Sequence, residues 1–374
     1  MSDRSTTLQV ATRGSDLATR QASSVREALA SRRQDVELLE VETAGDRIRD
    51  ELIHRLGKTG AFVHSLDERV LDGEADLAVH SLKDVPTEDR SDLVVAAVPE
   101  RAPANDVLVS PDGTALEDLD SGATVGTSSL RRKAQLLATR PDLDVQPLRG
   151  NVDTRVEKLL APSLQAEHAD RLAAEEETAE SADGDATTDD DGSDDPDDSS
   201  AEAWFNGLAE IERQALERDI ETTYDAIVLA EAGLDRLGLT HHLQFQRLPP
   251  REFVPAPGQG ALAVVATDED VTEEVRSSID HPPSRVEVTV ERTILETLGG
   301  GCVAPIGVYA VLQGRVVSTT VRVLSGDGTE EVSDRRELPA RRHAEAAREM
   351  ALDLADRGAE ELIDRAREAT QEQT

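Results

Sequence analysis

The chain is poor in cysteine, lysine and aromatic residues. Its 374 residues include one cysteine, one tryptophan and only 2% aromatic residues in total. A single cysteine cannot form an internal disulfide, and no segment approaches the roughly 18 apolar residues that a membrane-spanning helix needs. The sequence also lacks metal-ligand clusters, a Walker-type phosphate loop and a dinucleotide fingerprint. These absences argue against a membrane protein, a metalloenzyme and a nucleotide-dependent enzyme.

Negative charge dominates what is present. The 77 acidic and 40 basic residues give a formal charge of −37 at pH 7, and all but four of the basic residues are arginine. A surface of this kind holds water and cations in strong salt, where screening limits its self-repulsion. We therefore expect a soluble protein of a salt-rich cytoplasm, because the N-terminus also lacks a signal-peptide core. Such a surface repels phosphate, so we expect neither nucleic acid nor a membrane as partner.

Apolar strand-like runs alternate with amphipathic helical stretches twice along the chain, which predicts the α/β class. The first series gives an α/β lobe from residues 1–101 together with 260–278, and the second gives a lobe from residues 104–255. Residues 282–374 read as a helix, three strands and one long helix from Ala340 to about Arg367, which predicts a small C-terminal α+β domain.

An acidic insert interrupts the second series at residues 161–220. It holds 20 acidic and 3 basic residues, with nine aspartates between Asp183 and Asp198. Such charge predicts a disordered loop. Its last part, Ala201 to Asp219, has the spacing of an amphipathic helix that carries Trp204. We expect this helix to dock on its own protein, and a partner-binding patch is the alternative.

The single cysteine, Cys302, follows Gly299, Gly300 and Gly301 and precedes Pro305. Three glycines remove side chains on one side and the proline stiffens the other, so the loop presents the sulfur. A lone thiol can act as a nucleophile, as an attachment point or as a small buried hydrophobic group.

Arginines and hydroxyl residues gather at three turns where a predicted strand ends and a helix begins. The turns span residues 11–15, 125–132 and 148–155. Free N–H groups at helix starts and guanidinium groups bind anions, and open α/β sheets bind ligands at the carboxyl ends of strands. Three such turns predict a polyanionic ligand, although one arginine alone is better explained by a surface salt bridge. The candidates are Arg13, Ser15, Thr127, Ser129, Arg131, Arg132, Arg149 and Arg155.

A fourth strand end carries Lys83 and Asp84, followed by Pro86. The proline restricts the turn, so Asp84 is suited to be a fixed carboxylate that faces the same cleft. His80 lies on the preceding strand, and we expect it to be a hydrogen-bonded structural residue rather than a general base.

Together these motifs resemble the porphobilinogen deaminase family, also called hydroxymethylbilane synthases. They follow the family's order from residue 8 to about residue 366, apart from the acidic insert. The matching segments are residues 11–13, 78–86, 125–132, 148–155, 229–238, 255–261 and the cysteine loop. Two features depart from the family pattern: Lys58 is displaced by one position in its loop, and the insert is some 60 residues longer than the family's connection.

The resemblance implies a three-domain enzyme whose first two lobes are similar to periplasmic binding proteins. It implies a dipyrromethane cofactor, made from the enzyme's own substrate and held on Cys302 through a thioether. Four porphobilinogen molecules are condensed head to tail on this primer, and a linear tetrapyrrole is released by hydrolysis. The resemblance also implies a monomer whose partners are porphobilinogen and the oligopyrrole intermediates.

Site roles follow from the same resemblance. Asp84 takes the catalytic role, because a fixed carboxylate stabilises cationic pyrrole species as they form. The implied cofactor-binding residues are Cys302, Lys83, Asp84, Ser129, Arg131 and Arg132. The implied substrate-binding residues are Arg13, Ser15, Thr127, Arg149, Arg155, Arg236 and Gln259, with Gln21 and Asp46 as neighbours.

Two other functions stay open on the residues alone. A non-catalytic two-lobe protein that binds polycarboxylates explains the arginine turns equally well, but it gives no reason for the cysteine loop. A cysteine-nucleophile acyl transferase needs a histidine that activates the thiol, and His80 and His281 are the candidates for it.

Overall fold

In the computed structural model, three β-sheets organise the chain. The structure describes residues 7–30, 35–41, 61–86, 92–182, 200–301 and 304–372. The strands are β1 (Leu8–Arg13), β2 (Val36–Val41), β3 (Leu77–Ser81), β4 (Val94–Ala97), β5 (Asp106–Val109), β6 (Thr124–Gly126), β7 (Asp144–Gln146), β8 (Ala226–Ala230), β9 (Phe245–Arg247), β10 (Leu262–Ala266), β11 (Ile306–Gln313), β12 (Val316–Leu324) and β13 (Glu331–Pro339). The α-helices are α1 (Asp16–Ala30), α2 (Ala61–Leu71), α3 (Leu130–Thr139), α4 (Val152–Ala182), α5 (Ala201–Gly207), α6 (Glu210–Leu216), α7 (Glu231–Leu237), α8 (Glu269–Ile279), α9 (Pro282–Thr297), α10 (His343–Asp356) and α11 (Ala359–Glu372).

The first sheet has the strand order β2-β1-β3-β10-β4. Strand β1 runs parallel to β2 and β3, whereas β10 is antiparallel to both of its neighbours. Every residue of β10 is buried, as expected for a strand with helices on both faces. Helices α1 and α8 cover one face of the sheet and α2 covers the other.

The second sheet repeats this plan with the order β7-β6-β8-β5-β9. Strand β6 is parallel to β7 and β8, and β5 is antiparallel to β8 and β9. Each five-stranded sheet thus contains one antiparallel strand, which the chain reaches from the other sheet. Residues 98–105 cross from β4 of the first sheet to β5 of the second, and residues 248–261 cross from β9 back to β10 of the first. The two crossovers touch, since the Ala102 amide donates to the Gly260 carbonyl over 3.2 Å.

The third sheet is antiparallel, in the order β11-β12-β13. Helices α9, α10 and α11 pack on it around a buried cluster that includes Ile294, Val321 and Met350. The two mixed sheets with flanking helices, and the smaller antiparallel sheet with its helices, confirm the predicted α/β class and the α+β character of the C-terminal part. None of the helices in the described segments has the length and the apolar character needed to cross a membrane.

The single long helix predicted from Ala340 to about Arg367 is wrong. The chain forms α10 and α11 there, with a break at Gly358, whose φ of +96° is open to glycine and rarely to other residues. The interruption lets both helices bury apolar side chains, including Leu354 and Ile363, in one cluster.

The acidic insert also differs from its prediction. Disorder was predicted for the insert apart from a helix at 201–219, but residues 161–182 continue α4; the predicted helical segment is present as α5 and α6. Leu164, Ile211 and Ala215 belong to the buried cluster on one face of the second sheet. The prediction of disorder failed at residues 161–182, because the net charge of the insert concealed apolar residues such as Leu164 that pack on the sheet. Residues 183–199 lie outside the described residues.

Trp204 docks on its own chain, as predicted. Its ring stacks on the ring of His168 with 5.8 Å between centroids, and the Arg171 guanidinium lies 5.4 Å from the ring centroid. The predicted single helix is two, however, since α5 ends at Gly207 and α6 begins at Glu210.

The insert should therefore contribute to stability. Ile211→Ala removes a side chain that is only 7% exposed, and we expect it to lower the free energy of unfolding by about 2–5 kcal/mol. Ile220→Ala is the matched control, because Ile220 is 46% exposed and should cost less than about 0.5 kcal/mol. Denaturant unfolding at constant salt measures both, and equal small effects would show that the insert does not share the core of the second sheet.

Candidate active site

The predicted site segments lie at strand ends of the two five-stranded sheets. Strand β1 ends at Arg13, and β3 ends at Ser81, directly before the 3-10 turn Leu82–Asp84. Because β1 and β3 are parallel, both segments leave the same edge of the first sheet. Strands β6 and β7 are parallel as well, so the segments 127–132 and 147–155 leave one edge of the second sheet.

A buried carboxylate, Asp106, organises the second of these edges. Its Oδ1 accepts hydrogen bonds from Arg132 Nε at 3.0 Å, Arg132 Nη2 at 2.7 Å and Gln259 Nε2 at 2.9 Å. Arg131 Nη1 forms an ion pair with Oδ2 at 2.7 Å. Burial alone raises the pKa of Asp106, but Arg131 and Arg132 lower it more, to about 2. No motif in the sequence marks Asp106, and its only signal is an aspartate that opens an apolar strand.

The two neighbouring arginines differ in how they are used. Arg132 donates its remaining Nη1 to the Val228 carbonyl at 3.0 Å, so its guanidinium is held on several sides by the protein. Arg131 Nη1 also donates to the Val254 carbonyl at 2.7 Å, but its buried Nε has no hydrogen-bond partner. Burial lowers the pKa of Arg131 even though Asp106 opposes the change. Arg131 therefore keeps a donor for a further acceptor, whereas Arg132 is tied into the protein.

Lys83 and Arg155 join this charged group from two other strand ends. Burial lowers the pKa of Lys83; Asp84 and Asp106 oppose that change, and Arg132 and Arg155 add to it. Burial and Arg132 lower the pKa of Arg155 to about 10, and Asp84 opposes them. The structure thus brings Lys83, Asp84, Arg132 and Arg155 within electrostatic reach of one another, with the Asp84 side chain exposed.

The hydroxyl candidates have local roles at helix starts. Ser129 caps α3 by accepting the Arg132 amide at 3.4 Å, and Thr127 Oγ1 accepts the Ser129 amide at 3.2 Å. Ser15 Oγ accepts the Ala18 amide at 3.4 Å at the start of α1.

The other basic candidates lie nearby on separate elements. Arg13 and Arg149 are half-buried at their turns. Arg236 Nη2 donates to the Gly260 carbonyl at 2.7 Å, and burial lowers its pKa. Among the described residues no hydrogen bond joins Ser15 or Arg149 to the Asp106 group. Gln21 is buried in α1. Cys302, Lys58 and Asp46 lie outside the described residues.

Two histidines have structural contacts. His80 is buried, and its Nε2 lies 2.9 Å from Asp67 Oδ1, in line with the structural role predicted for it. His281 Nδ1 lies 2.8 Å from Ser284 Oγ at the start of α9. Both imidazoles thus have protein partners in the scaffold, which weakens their candidacy as activators of a thiol.

A second buried ion pair fixes the crossovers to the C-terminal part. Arg101 donates through Nη1 and Nη2 to the two oxygens of Glu291 at 2.8 and 2.9 Å. The same carboxylate accepts the Gly258 amide at 2.7 Å and the Ala310 amide at 2.9 Å. Burial opposes the charge of Arg101, but Glu291 outweighs it and raises the pKa of Arg101. One ion pair therefore joins both crossovers, α9 and β11.

Family models match most of the chain. The model described as "Porphobilinogen deaminase, dipyromethane cofactor binding domain" matches residues 8–170 and 210–274. The model described as "Porphobilinogen deaminase, C-terminal domain" matches residues 285–360. The unmatched residues 171–209 fall within the acidic insert.

Two relatives illustrate the similarity. A "Probable porphobilinogen deaminase" of Halobacterium salinarum is 53% identical over 389 aligned residues, which cover 96% of this chain and 98% of that protein. A "Porphobilinogen deaminase" of Desulforudis audaxviator is 38% identical and covers 96% and 97%. Among solved structures, a YaeC-family lipoprotein from Enterococcus faecalis is 14% identical, covers 73% of this chain and 91% of that one, and has a TM-score of 0.34; so low a score carries no argument.

Asp106→Asn should destabilise the protein strongly. It leaves the buried guanidinium groups without their anion, and we expect a loss of about 3–5 kcal/mol in the free energy of unfolding at pH 7. The exposed Asp118→Asn serves as control and should change it by less than about 0.5 kcal/mol. Denaturant unfolding of the three proteins measures the differences.

The pH dependence gives a second check. The folded-state pKa of Asp106, about 2, lies below the ordinary value of 3.8 for an aspartate. The ionised Asp106 carboxylate therefore stabilises the fold fully at a pH above the pKa of the unfolded chain. This stabilisation is lost as the pH falls through the folded-state pKa. The stability gap between the unmodified protein and Asp106→Asn should narrow below about pH 4. A gap that stays constant from pH 7 to 3 would contradict this role.

Proposed function

Because the chain belongs to the porphobilinogen deaminase family, we propose that the charged group around Asp106 and Asp84 binds the carboxylates of its dipyrromethane cofactor and of the growing pyrrole chain. The protein is a transferase that condenses porphobilinogen into a linear tetrapyrrole. The observation that carries the site assignment is the pairing of Arg131 and Arg132 with the buried Asp106 at this edge of the second sheet, which leaves the buried Arg131 Nε without a hydrogen-bond partner.

The described residues fit a polycarboxylate group. Folding removes four basic side chains from water, and this burial lowers the pKa of each of them: Lys83, Arg131, Arg155 and Arg236. An anion nearby stabilises the charged form of such groups. Each pyrrole carries an acetate and a propionate, which match guanidinium groups in charge and shape. The buried Nε of Arg131 supplies one donor that the protein itself does not satisfy.

We assign the thioether link to Cys302, the residue after the glycine run. The part of this loop that the structure describes is tightly held: the Gly299 amide donates to the Glu296 carbonyl at 2.9 Å and the Gly300 amide to the Leu295 carbonyl at 2.8 Å. This pattern closes a helix when the residue after the cap is left-handed, and Gly299 has a φ of +62°. A Cβ on residue 300 would lie 2.6 Å from the Leu295 side chain. The glycines therefore fix the direction in which the chain leaves α9.

When bound, the dipyrromethane supplies the terminal pyrrole carbon to which the first substrate unit is joined. The protein's own part is to bind and to stabilise charge. Lys83, Arg131 and Arg155 hold carboxylates, which neutralises the cations and orients the pyrroles. Asp84, exposed beside these cations, provides the negative charge that stabilises the cationic pyrrole left when porphobilinogen loses ammonia. Asp106 keeps Arg131 and Arg132 in place without itself meeting the ligand.

We also propose three domains with the predicted boundaries, 1–101 with 260–278, 104–255 and 282–374. The pairing of β10 with β3 and β4 supports the return of the chain to the first lobe. The charge of −37 and the similarity to the Halobacterium salinarum protein support a salt-adapted cytoplasmic enzyme. A monomer without nucleic-acid or membrane partners is the state that we expect.

Asp84→Asn should abolish most of the activity while leaving the fold intact. Removal of one preorganised charge costs on the order of 3 kcal/mol in barrier, about a hundredfold in rate. Porphobilinogen consumption and tetrapyrrole formation at high salt measure this loss. Asp72→Asn, at an exposed position of the same lobe, should keep the normal rate. Turnover by Asp84→Asn above about a tenth of normal is incompatible with the proposed role.

A further inference from the structure

The turn that carries Asp84 is short and needs external support. The 3-10 turn Leu82–Asp84 is closed by the Val85 amide, which donates to the Leu82 carbonyl at 3.2 Å. The Leu82 amide donates to the Ala261 carbonyl at 3.0 Å, and the Leu82 side chain is buried. These contacts hold the beginning of the turn. The carbonyl groups of the two residues that follow the turn, Val85 and Pro86, bind a different element.

That element is helix α9, through Arg292. Its Nη1 donates to the Val85 carbonyl at 2.9 Å and lies 3.4 Å from the Leu82 carbonyl, and its Nη2 donates to the Pro86 carbonyl at 2.8 Å. Val288, one helical turn earlier, packs on Leu82 in a buried cluster. Helix α9 thus holds the turn in two ways: the planar guanidinium of Arg292 donates from two nitrogens, and the side chain of Val288 packs on Leu82.

The same helix leads to the cofactor loop. It ends at Thr297, and the hydrogen-bonded glycines 299 and 300 follow, only two residues before Cys302. Its middle is fixed by Glu291, the neighbour of Arg292, whose carboxylate binds Arg101 and the Gly258 and Ala310 amides. Helix α9 therefore binds the turn that carries Asp84 and also leads directly into the glycines before Cys302.

We propose that Arg292 is a positioning residue for Asp84. It sets the place of the catalytic carboxylate relative to the helix that presents the cofactor loop, and it acts on the reaction only through Asp84. The proposal rests on the role given to Asp84 under the proposed function. A displacement of about 1 Å at a catalytic group costs up to about a hundredfold in rate, so the guanidinium matters although it need not touch the substrate.

Arg292→Met tests this by removing the two-pronged donor while keeping much of the apolar stem. We expect the turnover number for porphobilinogen to fall about tenfold or more, with KM changed less than about threefold. Arg285→Met is the matched control on the same helix. Arg285 also donates to a strand carbonyl, that of Ala96, at 2.9 Å, but it lies away from the turn. It should keep the turnover number within about threefold of normal.

A double-mutant cycle separates positioning from general destabilisation. In the Asp84→Asn background, Arg292→Met should lower the remaining rate by less than about twofold, because the group through which it acts is already lost. Additive losses in the cycle, or a normal turnover number in Arg292→Met, would overturn the proposal. Should Arg292→Met fail to fold, Arg292→Lys replaces it; a single ammonium cannot reproduce the fork, so a partial loss is expected and the same cycle applies.

Hydrogen–deuterium exchange supplies a readout that is independent of activity. Exchange in a peptide that spans residues 82–86 should rise in Arg292→Met and stay normal in Arg285→Met. Unchanged exchange would show that Arg292 does not hold the turn. If the unmodified protein does not consume porphobilinogen, or if Asp84→Asn is fully active, the proposed function fails, whereas the exchange result still decides whether Arg292 holds the turn.

Discussion

A carboxylate sealed from solvent is the constraint on which the rest of this structure depends. Asp106 is completely buried and binds Arg131, Arg132 and Gln259. A buried charge is tolerated only when it is paired and hydrogen-bonded. Asp106 opens β5, directly after the first crossover. Its carboxylate therefore fixes β5 to the arginines at the start of α3 and to Gln259 in the second crossover. Because the carboxylate is shared, cations can be kept at the edge of the second sheet in a chain whose surface is strongly negative.

The buried pair of Arg101 and Glu291 makes the corresponding connection for the C-terminal part. It binds the crossovers to α9 and β11, and the next residue along α9, Arg292, reaches the turn that carries Asp84. The two buried carboxylates thus have different roles. Asp106 holds the arginines at the edge of the second sheet, and Glu291 fixes the helix whose Arg292 binds the segment around Asp84, the carboxylate that we propose to be catalytic.

The sequence could predict the regular elements and the strand-end motifs, because hydrophobic periodicity and turn chemistry are local. It could not reveal Asp106 or Glu291, whose partners lie far away in the chain; Gln259, for example, is 153 positions from Asp106. Arg132 is a second example. Its motif predicts a positive charge, but it does not reveal that the guanidinium nitrogens donate to Asp106 and to the Val228 carbonyl. Residues 161–182 of the acidic insert were wrongly predicted to be disordered, because net charge outweighed a few apolar residues such as Leu164 that pack on the second sheet. The function itself came from the resemblance of ordered motifs, which composition alone does not provide.

Peptide mass spectrometry tests most directly whether the charged group around Asp106 and Asp84 serves a dipyrromethane attached to Cys302. Trypsin should cut after Arg292 and Arg315 and release residues 293–315, which contain the only cysteine. When protein that has been purified in active form is denatured and digested, this peptide should carry the added mass of two linked pyrrole units. An unmodified Cys302 thiol in fully active protein would contradict the account.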